Sequence, residues 1–336
     1  MMNYTAAFIM PVKLSGNKME LRHLGITIES IKCQTDSDWI LIMVDDYSDN
    51  QAVYDAIDEI KTDLKDKVHV IYSDKNYGTG AARNKGIAYA NEMGAPFILF
   101  NDADDVSDPR RLELTRKAFE DETVNVVYSS FDVIDENGNI VPDSKINPAI
   151  KEIIDGHKID IVEGENAFVN IATKKKYTNL TSCTSVRTSL AVEEPFPSLS
   201  VSEDCHTWFR YGAHPGKFVF LNEIKGGYRI RSGVASRSRS LNKNFYEKLF
   251  EVDSSGFEAA LKLAKKYGTT DGWEENDLRC AFNVRLALSL LHGGNEEYSK
   301  NAVNIAAEIS KEKTVSYIEL LQCETNCKDK LKAFIS

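Results

Sequence analysis

The first 130 residues carry apolar runs of strand length separated by stretches with helical spacing. Ala6-Ala7-Phe8-Ile9-Met10 ends at Pro11, and Trp39-Ile40-Leu41-Ile42-Met43-Val44 ends at Asp45-Asp46. Val68 to Tyr72 and Phe97-Ile98-Leu99-Phe100 are a third and a fourth run, the last again closed by carboxylates. Between them Leu21, Leu24, Ile28 and Ile31 recur at helical spacing, and 52–64 and 80–93 read as further helices. Runs that are apolar throughout belong to strands buried on both faces. With helices between them they predict a parallel α/β sheet covered on each side.

From about 125 to 240 the elements shorten and mix: Val126-Val127-Tyr128 reads as a strand and Asn137-Gly138 as a turn. After Leu241 the pattern is helical, with Phe257, Leu261 and Ala264 on one face and Val284, Leu288 and Leu291 on another. The expected organisation is an α/β domain over 1–240 and an α-helical region over 241–336. Lys225, Arg229, Arg231, Arg237, Arg239 and Lys243 fall in one Gly- and Ser-rich stretch without an acidic residue, so 225–243 reads as a basic, flexible lid.

Composition narrows the function. The 336 residues include 51 acidic and 41 basic side chains, a net charge of −10, which argues against a general nucleic-acid binder. A 42% hydrophobic content excludes wholesale disorder. No apolar run approaches the roughly 20 residues a membrane helix needs. The six cysteines are scattered and the start lacks a basic leader, so reduced thiols and a cytoplasmic location are expected. Cys323 and Cys327 lie four apart on a predicted helix, but no second pair stands at zinc spacing.

In a parallel sheet, ligands bind beyond the carboxyl ends of the strands. Those ends are Pro11 to Lys13, Asp45-Asp46, Ser73-Asp74 and Asn101-Asp102-Ala103-Asp104-Asp105. Asp-x-Asp at a strand tip suits a hard divalent cation that also takes substrate phosphates. The competing reading is a solvated acidic turn, with Asp108 as N-cap of the next helix.

The order Ile42-Met43-Val44-Asp45-Asp46-Tyr47-Ser48, Asn76-Tyr77-Gly78, Ala82-Arg83-Asn84, Asn101-Asp102-Ala103-Asp104-Asp105 and Ser202-Glu203-Asp204 resembles the family 2 glycosyltransferases. The resemblance covers about residues 5–240 and implies the GT-A fold, Rossmann-like and mostly parallel with helices on both faces. It implies an inverting, metal-dependent transfer of sugar from a nucleotide-diphospho-sugar, most often a UDP-sugar, to an acceptor hydroxyl. By this resemblance Asp46 accepts from the imide N–H of a uracil-type base flanked by Pro11 to Lys13. Asp102 lies near the ribose and joins the metal through water, and Asp104 is the main ligand of Mn²⁺ or Mg²⁺ on the diphosphate. Arg83 and Asp74 join the donor side; Asp204 is the general base, with Glu203 beside it.

Two departures from the family pattern matter. Pro11-Val12-Lys13 replaces the Tyr-Asn or similar polar pair of the family, which leaves Lys13 to meet either a phosphate or an unusual donor. Tyr228-Arg229-Ile230-Arg231 places Arg231 where the family has His, so Arg229 and Arg231 are expected to clamp the diphosphate. A sugar-phosphate nucleotidyltransferase would need a Gly-rich loop with Arg and Lys after the first strand, which Pro11 to Gly16 does not supply. A non-catalytic nucleotide-sugar-binding protein is opposed by intact Asp104 and Asp204. The acceptor, whether carbohydrate, lipid-linked or protein, is not encoded in a motif. Candidate roles for the helical tail are covering the acceptor cleft, forming a homodimer, or docking peripherally on a membrane or partner enzyme.

Overall fold

The four apolar runs are four parallel strands: β1 (Ala6–Val12), β2 (Trp39–Asp45), β3 (Val68–Tyr72) and β4 (Phe97–Phe100). The computed structural model describes residues 5–146, 148–165, 167–174, 179–230 and 244–335. Among these, β5 (Val124–Ile134), β6 (Thr184–Arg187) and β7 (Lys217–Arg229) complete a sheet of order β3-β2-β1-β4-β6-β5-β7. β6 runs antiparallel to β4 and β5, while β5 and β7 are parallel. The strand order reverses between β1 and β4, which opens a crevice at their carboxyl ends. Register brings those ends level: Val12 pairs with Asp45 and Asp45 with Tyr72. Asp46 N–H donates to Val12 O and Ser73 N–H to Asp45 O, both at 2.8 Å.

Alternation along the strands divides the core in two. Phe8, Leu41, Met43 and Leu99 face α1 (Lys18–Lys32) and α2 (Gln51–Leu64), where Leu24, Ile28, Ile31, Val53 and Ile57 complete one apolar layer. Ala7, Ile9, Ile42, Val44 and Phe100 face the other way, toward Ala82, Ile87 and Ala90 of α3 (Thr79–Glu92). A Cβ at Gly86 of α3 would come within 2.6 Å of Ile9 Cγ2, so only glycine permits this approach of helix to strand. α4 (Arg111–Ala118) follows the acidic loop. α5 (Pro148–Ile159), α6 (Ala167–Thr173), α7 (Thr188–Glu193) and α8 (Glu203–Ala213) lie between the later strands.

The chain ends in α9 (Phe245–Tyr267), α10 (Glu275–His292), α11 (Glu296–Leu320) and α12 (Thr325–Ala333). These helices share the second core layer. Phe257 of α9 stacks on Phe282 of α10 at 4.1 Å and lies 5.8 Å from Phe168 of α6, in one cluster with Phe100 and Trp208. α8 is buried on nearly all sides between the sheet and α9, so the helical region covers a face that the α/β part leaves open.

Three expectations are corrected here. The basic stretch does not begin as a flexible lid: 225–229 is the end of β7, held by pairing to β5, with Lys225 Nζ 3.0 Å from Asp132. Residues 231–243, Arg231 included, lie outside the described residues. Asp108 is not the N-cap of α4; Arg110 holds that position, and Asp108 Oδ1 accepts from its N–H at 2.8 Å. Cys323 precedes α12 while Cys327 is within it, so the two do not share a helix face. Among the described residues no helix is long and apolar enough to cross a membrane.

Candidate active site

The strand ends form an acidic crevice whose carboxylates are fixed by three different means. Asp45 closes the β2 turn by accepting from Ser48 N–H at 3.2 Å and from Ser48 Oγ. Tyr47 (φ 64°) and Asp49 (φ 49°) adopt left-handed backbone in the same turn, a conformation costly for residues other than glycine. Asp46 is buried, and its two oxygens accept from Tyr77 N–H at 2.9 Å and Gly78 N–H at 2.7 Å. It thereby ties the end of β2 to the entry of α3, where Gly78 takes φ 91°. Lys13 Nζ donates to Tyr47 O and lies 5.5 Å from the centre of the Tyr47 ring. Pro11 sits on β1 opposite Val44. Asp74 is exposed, and a hydrogen bond from the Tyr77 hydroxyl holds its carboxyl below the usual range.

The Asp102–Asp105 loop is braced from beneath. Arg111, fully buried, donates to Phe100 O at 2.9 Å and Thr184 O at 3.0 Å, and burial pushes its guanidinium down to about 10. Asp102 N–H donates to Ser182 Oγ at 3.0 Å. Asp105 is buried and accepts from Arg229 N–H at 2.9 Å. Arg229 also donates from Nε to Asp104 O (2.8 Å) and from Nη1 to Asp135 O (2.9 Å), so it holds the loop through its backbone. Asp104 is exposed between the partly buried Asp102 and the buried Asp105. Desolvation there, and then the charge of Asp102, raise its carboxyl; desolvation and the charges of Asp104 and Asp102 raise Asp105 further. Concentrated negative charge of this kind is relieved by a cation.

Arg83 connects this loop to α8. Its guanidinium is buried, with Nη2 donating to Asp102 Oδ1 at 2.9 Å and Nη1 to Glu203 Oε1 at 3.0 Å. Next to it, Asn84 clamps Phe196 through both backbone groups, at 2.8 and 2.9 Å. Arg210 of α8 and His214 just after it both engage Glu194, at 2.8 and 3.1 Å, so the segment leading to α8 is held at two points. Asp204 lies in the first turn of α8 and accepts from Cys205 N–H at 2.8 Å. Burial, then the adjacent Glu203 charge, push its carboxyl up to about 7, with Arg83 opposing. A carboxyl near 7 is suited to take a proton at neutral pH.

Of the residues expected at the site, Arg83 links Asp102 to Glu203, Asp104 and Asp204 stand beside them in the same loop and helix turn, and Pro11, Lys13, Asp46 and Asp74 lie at the neighbouring strand ends. Arg229 enters through its backbone bonds. Sequence reasoning missed Asn84 and Tyr228 as contributors. The Tyr228 phenol packs 5.7 Å from Phe131; desolvation and the charges of Asp105, Asp104, Asp102 and Asp204 raise its pKa. Asn84 was visible beside Arg83 in the motif, but its partner at 196 is 112 residues away.

This fold and crevice are those of a GT-A glycosyltransferase. TarS of S. aureus, crystallised with UDP, superposes with a TM-score of 0.60 at 17% identity, over 98% of this chain and 90% of that one. The mannosyltransferase PcManGT from Pyrobaculum calidifontis, in complex with GDP-Man and Mn²⁺, gives 0.51 at 14% identity, over 98% and 86%. In sequence, an uncharacterized glycosyltransferase of Methanocaldococcus jannaschii is 31% identical over 228 residues, 67% of this chain and 72% of the relative. Residues 10–179 match the family model for glycosyl transferase family 2, and the chain belongs to that family.

Proposed function

We propose that this glycosyltransferase moves a sugar from a nucleotide-diphospho-sugar, with UDP as the nucleotide, to an acceptor hydroxyl with inversion, and that Asp204 is the base. The observation that supports this most is the Arg83 bridge, which fixes Asp102 and Glu203, and so the donor side and the base helix, in one geometry. Asp46 has two lone-pair sites left after the Tyr77 and Gly78 bonds, enough to accept from a base imide between Pro11 and Lys13. Asp74 and Tyr77 bound the same side. Arg229 uses Nε and Nη1 on backbone carbonyls, and among the described residues its Nη2 has no partner, so it would meet a phosphate oxygen.

The carboxylates fit a divalent cation. Among the described residues no three His, Cys, Asp or Glu side chains are arranged to hold a metal by themselves. That suits Mg²⁺ or Mn²⁺, which bind through one or two carboxylates and complete their shell with phosphates and water. Asp104, with Asp102, would hold it, and when bound it would neutralise charge on the leaving diphosphate. The protein's own residues do the rest: Asp204 takes the acceptor proton as the hydroxyl attacks, opposite the leaving group, which yields inversion.

Calorimetric titration of UDP with and without Mn²⁺ tests the metal role. Wild type is expected to bind UDP at least about tenfold more tightly with Mn²⁺, and Asp104→Ala to lose that gain. Binding indifferent to both metal and substitution overturns it.

A further inference from the structure

The helical region has a second feature at the site besides its packing. α9 presents Leu249, Val252, Asp253, Gly256, Phe257, Ala260, Leu261 and Ala264 as its buried stripe. Asp253 is 0% exposed, a carboxylate at a position where periodicity calls for an apolar side chain. Taking a carboxylate out of water is unfavourable, so a packing role alone would favour an apolar residue there. Among its interactions, the Ser202 hydroxyl donates to Asp253 Oδ1 at 2.7 Å.

Ser202 is the N-cap of α8 and immediately precedes Glu203 and Asp204. It adopts φ 56°, ψ 25°, left-handed backbone, and its side chain makes no capping bond. A serine at this position ordinarily accepts from the first-turn N–H groups; here the hydroxyl is turned to Asp253 instead. Ser202 O accepts from His206 N–H at 3.1 Å, so the same residue sets the first turn of the helix. Gly256 lets α9 come this close: a Cβ there would lie 2.9 Å from His206 Cα.

We propose that Asp253 is a positioning residue for catalysis, holding Ser202 in its left-handed conformation and so aiming Asp204 at the acceptor hydroxyl. This rests on the reading of Asp204 as the base. The helical region then completes the catalytic site from within the same chain.

The test is steady-state hydrolysis of UDP-N-acetylglucosamine, UDP-glucose and GDP-mannose with Mn²⁺, water serving as acceptor. Asp253→Ala and Ser202→Ala are each expected to lower kcat about tenfold or more, with donor KM within about twofold of wild type. The double variant should be no slower than the worse single one, because both act along one path. Asp253→Asn keeps an accepting oxygen and should recover most of the loss. Wild-type kcat in either alanine variant, KM rising in step with the fall in kcat, or additive losses in the double variant overturns the proposal. If Asp253→Ala fails to fold by circular dichroism, Ser202→Ala, which removes only a hydroxyl, decides it by the same criteria. A wild type that neither hydrolyses these donors nor binds UDP sinks the reading beneath it. A wild type that turns over beside indifferent variants sinks only the role of Asp253.

Discussion

Two opposing sets of influences act on the Asp204 carboxyl: burial and the Glu203 and Asp253 charges favour the protonated form, and the Cys205 N–H bond and Arg83 favour the ionised one. The balance near 7 has consequences for rate and for stability. Transfer should fall below pH 7, tending to tenfold per unit, in a pH–rate profile of kcat/KM. Asp204→Asn should bind donor like wild type and lose nearly all transfer; unchanged turnover would remove Asp204 as base. The folded state holds this proton more tightly than the unfolded chain, whose aspartate titrates near 3.8. Stability attached to the group is therefore present below that value and is lost as pH rises through about 7. Asp204→Asn should then be more stable than wild type at pH 8, by on the order of 2–4 kcal/mol, and no more stable at pH 4, measured by urea unfolding. Arg83 has a sharper requirement. Lysine carries one ammonium and cannot span Asp102 and Glu203 as the guanidinium does, so Arg83→Lys should lower kcat by about tenfold or more.

α3 is the element on which the site depends most. Its second turn carries Arg83 and Asn84, which reach the acidic loop and the segment before α8, while Gly78 N–H donates to Asp46 at its entry. Position along the helix follows from how closely it lies on β1, and Gly86 sets that distance. Gly86→Ala should destabilise by about 1–3 kcal/mol, since the Ile9 contact must open. Activity measured below the unfolding transition should fall as well, because a shift of α3 moves Arg83. The sequence displayed the motif Ala82-Arg83-Asn84 plainly. Its function as a clamp was hidden, because Glu203 and Phe196 come from elements more than a hundred residues on and meet α3 only through the fold.

For the whole molecule, the relevant observation is one apolar cluster running from Ile9 and Phe100 through Trp208 to Phe257 and Phe282. A chain ending at 240 would expose the outer side of α8 and α6 to water. Such a truncation should be recovered largely as aggregate, or as a species with weak near-ultraviolet circular dichroism, where an independent α/β domain would be soluble and native-like. The net charge of −10 also takes on a spatial meaning. Carboxylates collect at the strand ends, where Arg83, Arg111 and Arg229 brace them from within the protein.

Local pattern determined the four parallel strands, their intervening helices and the row of carboxylates at their ends, because continuous apolar runs and helical periodicity are properties of neighbouring residues. It also carried a trace of Asp253, a single carboxylate in the apolar stripe of α9. Tertiary structure decided the rest. That β6 inserts antiparallel between β4 and β5, that 225–229 is strand, and that the helical region closes over the base helix all depend on pairings between distant segments. The charge state of Asp204 likewise depends on burial and on neighbours brought to it by the fold, since an aspartate carries the same intrinsic acidity wherever it is written in a chain.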